Sequence, residues 1–399
     1  MKKCKYRYKY YPCNEDTYKD YDHCILHYRP DIRSKEDIIE IQKLKHKKFK
    51  EKVSNADCNF DGIVIGEINF KGMEINSDVS FRDALVESVV FISSIISGNI
   101  DFTDAKILQY ANFYDANING NALFNNVKFP NKAEFQKFKV KYGVDFSECV
   151  FNGCLTLKKS IIEGRVIFND TTIKDYIILD SASIRFLIVD HTKINGPLFS
   201  KSTEIFGMSI KNSAALFMNF DNSTIINDID LHSNELNEGI SFLETSFKTP
   251  STQEKTCRYT KNKWEKLGDR FKADYYFYRE MDAKRKQKPF YSRYLEWLLI
   301  QFPFAYGVYP ERILFTFSII FISFSLIFWQ INGIFTPTSI NYLNLINGIR
   351  FSFLTLIIPA YGIVSPAATN YGIYIIIESI LGAFMWPLFI ATFARKYMR

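Results

Sequence analysis

The sequence predicts a multidomain membrane protein: a solenoid of short β-strands, a helical linker, and two membrane-crossing helices with a re-entrant segment between them. Three observations predict it. Aromatic and aliphatic residues recur at steps of five or six from about residue 53 to residue 247. Residues 313–329 carry no charge, and residues 371–394 carry one, Glu378. Between those apolar runs, a third apolar stretch ends in a loop-like segment rich in Pro and Gly.

A chain of 399 residues exceeds one ordinary core, so several domains are expected. The reading divides it into residues 1–30, a small Cys/His module; 31–52, a charged linker helix; 53–249, the solenoid; 250–311, a helical linker with an interfacial helix; and 312–399, the membrane domain. The net charge of +7 gathers in the first 52 residues and in 261–312, which suits an anionic membrane surface. No RNA-reading pattern accompanies it, so no nucleic-acid partner is expected. No apolar run follows the Lys-rich start, so a signal peptide is not expected.

Seven Cys, an odd number scattered along the chain, argue for reduced thiols. Cys4, Cys13, Cys24 and His27 have the spacing C-x8-C-x10-C-x2-H in a segment short of aliphatic residues. Three thiolates and an imidazole around a structural Zn²⁺ would supply the folding energy that segment lacks and leave no open coordination position. His23 competes with His27 for the fourth place, and unrelated cysteines in a basic tail are the alternative. Residues 31–52 read as one helix with Ile38, Ile39, Ile41 and Leu44 on its apolar side.

In the repeat region the clearest run is Phe81, Phe91, Phe102, Phe113, Phe124, Phe135 and Phe146, interleaved with Val86, Ile96, Ile107, Ile118, Phe129 and Val140. A step of five fits neither helix nor strand, so it marks an internal repeat. A second small or apolar residue precedes many of these by two positions, as Ala111 precedes Phe113. Each short face thus turns two residues inward, and the polar residues turn out. Gly62, Gly66, Gly72, Gly98, Gly120, Gly143, Gly153 and Gly164 are expected at the corners. After Cys154, Ile replaces most of the Phe, and coils are still expected.

Segments such as Val79-Ser80-Phe81-Arg82-Asp83-Ala84 and Ala111-Asn112-Phe113-Tyr114-Asp115-Ala116 resemble the unit of the pentapeptide-repeat family. That resemblance implies a right-handed quadrilateral β-helix over roughly 53–249. His191 and His232 are isolated, and no nucleophile elbow or Gly-rich phosphate loop is present, so no enzyme is expected.

Pro250 and Ser251 end the periodicity. Tyr259, Trp264, Leu267, Phe271, Tyr275 and Tyr278, interrupted by Gly268 and Asp269, predict a helical hairpin. Its stretch 264–281 looks like the linker of channel-like members of the pentapeptide family. Lys284, Arg285, Lys286, Lys288 and Arg293 precede Tyr294, Trp297, Leu298, Leu299 and Ile300, the pattern of an interfacial helix on an anionic leaflet. Residues 313–329 would span about 26 Å as a helix, enough to cross a bilayer. Basic flanks at both ends predict a multi-pass cell-membrane protein with both termini cytoplasmic.

Residues 341–358 followed by Pro359-Ala360-Tyr361-Gly362-Ile363-Val364-Ser365-Pro366 predict a re-entrant helix and loop, tolerated at membrane depth where it lines a water-filled path. Two helices cannot enclose such a path, so self-assembly is expected. This region resembles the two-helix potassium-channel pore: Phe351-Ser352-Phe353-Leu354-Thr355 matches the end of the pore helix, and Tyr361-Gly362 the tail of the filter. The resemblance implies a homotetramer conducting a monovalent cation, with Thr355, Ile358, Pro359, Ala360, Tyr361 and Gly362 along the pore. Pro359 and Ala360 stand where that family has Val and Gly, which removes the expectation of potassium selectivity. Glu378 is expected to face the cavity beneath the loop. The functional expectation is an ion channel or channel-like pore, cation-conducting and oligomeric, with a cytoplasmic sensor or scaffold domain that binds an unidentified protein partner. A non-conducting membrane-anchored scaffold is the alternative.

Overall fold

The computed structural model describes residues 2–9, 11–29, 35–130, 132–330, 341–358 and 368–397. The chain forms two compact units, Met1–Asp269 and Arg270–Arg399, so the division falls inside the expected 250–311 linker.

The first unit is a β-solenoid. Its strands stack in parallel, and successive partners such as Ile96, Ile118, Val140 and Ile162 are 22 residues apart. Further on the coil shortens, with Ile184 paired to Ile205 and Ile205 to Ile225. The strands make two long sheets of 14 and 15 strands. Because the Phe run steps by about half a coil, it folds into two columns of stacked rings. Phe60, Phe81, Phe102, Phe124, Phe146 and Phe168 form one, with centroids 4.9 to 5.7 Å apart. Phe70, Phe91, Phe113 and Phe135 form the other, at 4.8 to 5.2 Å. The columns meet edge to face, as Phe102 and Phe113 do at 89°, the arrangement that aromatic quadrupoles favour.

Beyond Cys154 the core changes chemistry while the coil persists. Val189 and Ile210 continue the first ring column. Buried hydroxyls appear where the early coils hold Ala: Ser160 donates to the Phe135 carbonyl, Thr171 to Phe146, Thr192 to Phe168 and Thr245 to Phe220, each at 2.7 Å. Each bond ties a coil to its predecessor and satisfies a group that would otherwise be costly to bury.

The corners differ from expectation. From Asp83 to Glu244, a non-Gly residue with φ near +50° to +60° recurs every ten or eleven positions, including Asp104, Asp115, Asn126, Lys137 and Ser181. Many are the third residue of a four-residue turn, closed for example by the Ala84 amide on the Phe81 carbonyl at 3.2 Å. Gly62 and Gly72 do take the corner position, with φ of +69° and +64°, whereas Gly98, Gly120, Gly143 and Gly164 serve close packing between coils. A Cβ on Gly164 would lie 1.0 Å from the Tyr142 carbonyl oxygen.

Helix α1 (Lys35–Ser54) covers the first coil. Its buried face is Ile41, Lys45 and Phe49, whereas Ile39 and Leu44, expected inside, are exposed. Phe49 closes the ring columns, 4.6 Å from Phe60 and 5.4 Å from Phe70. Helix α2 (Pro250–Lys266), capped by Thr249, covers the last coil. There Trp264 donates its indole N–H to the Ile240 carbonyl at 2.9 Å.

The second unit begins with α3 (Arg270–Lys286) and α4 (Phe290–Glu296). A π-helical turn, Trp297–Gln301, runs into the single turn α5 (Phe302–Phe304). Left-handed Ala305, Tyr306 and Gly307 then turn the chain into α6 (Pro310–Gln330). Helix α7 (Asn341–Ile357) and helix α8 (Ala368–Tyr397) complete it. Pro310–Gln330 and Ile373–Ala394 are long and apolar enough to cross a membrane, each with mean hydropathy 2.0; the apolar part of α7, Leu345–Ile357, is shorter.

Candidate functional site

Two places gather chemistry-bearing side chains. The first is the N-terminal module. A two-residue hairpin, Arg7–Tyr8 against Tyr11–Pro12, brings Cys13 opposite Tyr6 and Cys4 opposite Glu15, and a turn at Cys24 presents His27. The His27 Nδ1 lies 3.3 Å from the Cys4 sulfur and 3.2 Å from the Cys24 sulfur, and Cys13 and Cys24 are 4.0 Å apart. All four ligand atoms fall within 4.8 Å of one another. A tetrahedral ion with bonds of about 2.3 Å to sulfur and about 2.0 Å to nitrogen puts its ligands roughly 3.6 to 3.8 Å apart, so the donor set fits a metal ion. His23 is not part of the group.

The surroundings support that fit. His27 Nε2 lies 2.7 Å from the Asp61 carbonyl, which fixes Nδ1 as the free, metal-facing nitrogen. The Cys24 amide donates to the Cys4 sulfur at 3.2 Å. A bond from Cys24 holds the Cys13 thiol well below its ordinary range. Cys24 is pushed up by that same contact and by burial, and Cys4 by burial. Three thiolates could share this space only with a cation among them.

The module is joined to the first coils. The Asp61 carboxylate receives Arg82 Nε at 3.0 Å and the Arg82 amide at 3.1 Å. Arg82 lies 5.0 Å over the Tyr8 ring, and the Tyr8 hydroxyl donates to Asp104 at 2.9 Å. Beside it Lys45, fully buried, donates to the carbonyls of Tyr28, at 2.6 Å, and of Val64. Burial pushes its ammonium down to about 8, partly opposed by Cys24. Sequence reading missed Lys45, whose only signal is its helical spacing with Ile41 and Phe49.

The second place is the core of the α6, α7 and α8 unit. Antiparallel packing of α6 and α8 is fixed by Lys396 with Glu311, 3.5 Å apart, and by Phe317 with Trp386, 5.5 Å between rings. Gly382 lets α8 approach the Leu356 backbone, where a Cβ would lie 2.4 Å from the carbonyl oxygen. One turn away, the Ser352 hydroxyl donates to the Glu378 carboxylate and lies 3.3 Å from the Phe321 carbonyl. Glu378 is fully buried against α7 of its own chain. The contact pairs Ser352 with Glu378 and Leu356 with Gly382 run in the same order, so α7 and α8 point in the same direction.

Of the expected pore residues, Thr355 is buried on α7 and Ile358 is exposed just beyond it. Pro359, Ala360, Tyr361 and Gly362 lie outside the described residues. Glu378 Oε2, Thr355 Oγ1, Ser379 Oγ and Ser325 Oγ are buried without a hydrogen-bond partner among the described residues. Ser352, Ser379 and Ser325 were not singled out from sequence, although Ser352 and Thr355, spaced i and i+3 in an apolar helix, carried the signal. Compared with protein-family profiles and with curated proteins, the chain matches none.

Proposed function

We propose that this chain is one subunit of an oligomeric, cation-conducting membrane pore whose solenoid is a cytoplasmic sensor or scaffold. The carrying observation is the direction of α7. It starts at the level of the far end of α6 and runs back beside α8 in the same direction as α8. Ile358 therefore ends level with the residue 26 positions on in α8, about 24 Å below the start of α8 at 1.5 Å per residue. Ile358 and Ala368 thus lie at different heights of the apolar layer. Backbone at that depth needs a water-filled path or protein around it, and one hairpin cannot enclose such a path. The reading is of a re-entrant loop, with Thr355, Ile358, Pro359, Ala360, Tyr361 and Gly362 along it, and of a homotetramer around one axis.

The paired ends of α6 and α8, with the basic residues before α4 and at Lys396, support cytoplasmic termini. The solenoid is then a right-handed, four-sided coil on the cytoplasmic side, open to a protein partner. Zinc is the ion that three thiolates and one imidazole select in a closed tetrahedral site.

The test is a current measurement on the purified full chain in planar bilayers, with native mass spectrometry for subunit number. Tetramers with cation-selective unitary currents are expected. Intact tetramers that never conduct would favour the second reading, a membrane-anchored scaffold, which Pro359 and Ala360 favour at positions where a filter needs backbone freedom.

A further inference from the structure

We propose that Glu378, with Ser352, Thr355 and Ser379, forms a dehydrated binding site for one alkali-metal cation inside each subunit. Glu378 is bonded to Ser352, which lies 3.3 Å from the carbonyl of Phe321, one residue past the middle of α6. That places the carboxylate roughly 16 Å from one end of α6 and roughly 14 Å from the other, near the middle of the span.

A carboxylate there is tolerated only when paired or neutralised. Among the described residues the packed helices offer it no cationic partner. On α6 the charges are Glu311 and Arg312, both in the first turn, and on α7 the described charge is Arg350, which is exposed. On α8 itself Lys396 lies five turns away, against Glu311.

The carboxylate has polar neighbours along α7 and α8. Ser352 bonds Oε1, while Oε2 is buried and unpartnered among the described residues. The Thr355 hydroxyl, on the same face one turn along α7, and the Ser379 hydroxyl, next to Glu378, are likewise buried and unpartnered. Three such atoms, Glu378 Oε2 and the Thr355 and Ser379 hydroxyls, would not be left unsatisfied in an apolar interior without a ligand to receive them. Oxygen donors without nitrogen or sulfur suit a hard cation. One negative charge balances one positive charge, which selects a monovalent ion over a divalent one. The site is internal to one subunit, so it differs from an axial ring of carboxylates.

The proposal rests on the membrane placement given above and not on conduction, so a protein that is silent in planar bilayers can still pass its test. The full chain in lipid nanodiscs is treated with a fluorescent carbodiimide, which reacts with a protonated carboxyl in an apolar layer. Labelling is compared in sodium, potassium and choline chloride at one pH and one ionic strength. Labelling at Glu378, located by peptide mass spectrometry, should be slowed about tenfold by sodium or potassium relative to choline, as occupancy by a competing ligand requires. Glu378→Gln should remove the label. Should that variant fail to assemble, Ser352→Ala decides: it keeps the carboxyl and should keep the label while losing most of the alkali-metal protection. Equal labelling rates in all three salts, absence of label from the parent protein, or full protection in Ser352→Ala would overturn the site.

Discussion

Phe113→Ala should be among the most destabilising single changes in the solenoid. Phe113 is fully buried, stacked on Phe91 at 5.2 Å and on Phe135 at 4.9 Å, with Phe102 and Phe124 edge-on at 5.9 and 5.3 Å. Truncating a buried Phe costs about 3 to 5 kcal/mol through lost transfer energy and the residual cavity. Two features place this site at the upper end. Each lost aromatic pair adds roughly 0.5 to 1.5 kcal/mol. The coils above and below are held by backbone bonds such as the Phe113 amide on Glu134 at 2.7 Å, so the space cannot close. The assay is urea unfolding of the zinc-supplied fragment 1–269, the first compact unit, followed by β-sheet circular dichroism. A loss of about 4 kcal/mol with little change in the denaturant slope is expected. Exposed Lys128→Ala should stay within about 0.5 kcal/mol. A Phe113→Ala loss under about 1.5 kcal/mol would mean that the ring columns do not hold the coils together.

Metal analysis of the same fragment should give one zinc per chain, lost on Cys13→Ser or Cys24→Ser; less than half an equivalent with zinc supplied would sink the centre. Lys45 makes the first unit less stable when charged: its pKa lies near 8 in the folded state, below the ordinary 10.5, so the unfolded chain holds the extra proton between them. Stability should therefore rise with pH from about 8 toward 10, by about 1 kcal/mol per unit at most. Lys45→Met should flatten that rise, and an unchanged slope in urea titrations would refute it. Gly164→Ala should cost about 3 kcal/mol or more, since its Cβ would overlap the Tyr142 carbonyl; a neutral effect on the fragment's unfolding midpoint would show that the coils can separate there.

The five-residue step was enough to read the solenoid, because one face of a narrow coil repeats at that interval whatever lies beyond it. Glycine marked only the first corners, at Gly62 and Gly72, and from Asp83 on the corners were not legible as glycine. Left-handed backbone costs an L-residue only about 1 to 2 kcal/mol, and Asp83, Asp104, Asp115 and Asn126 are of the types that tolerate it best. Buried Thr171 and Thr192 read as surface positions, since their burial depends on a carbonyl of the preceding coil. In the membrane unit, composition located α6 and α8. The pairing of Glu378 with Ser352 needed the direction of α7, which no periodicity encodes.

A solenoid has two open ends, each exposing stacked rings and unpaired strand edges that invite another chain. Here the two closures use different chemistry. At the far end one helix suffices: α2 is capped by Thr249, and Trp264 both covers the core and satisfies the Ile240 carbonyl. At the near end α1 alone cannot suffice, because it buries Lys45 beside Phe49. The N-terminal module supplies what is missing. Its Tyr28 carbonyl accepts from Lys45, and its Leu26 carbonyl receives the Val64 amide at 2.9 Å, at the edge of the first coil. Leu26 and Tyr28 flank the ligand His27, so the segment that closes this end is also the one a metal would hold rigid. Metal binding and closure of the first coil are then one equilibrium. Chelation should loosen the coils at Val64 and Asp61 before it affects those near Ile240, a gradient that hydrogen exchange along the fragment can read. Uniform loosening along the solenoid would show that the metal centre stabilises the unit without acting as its end cap.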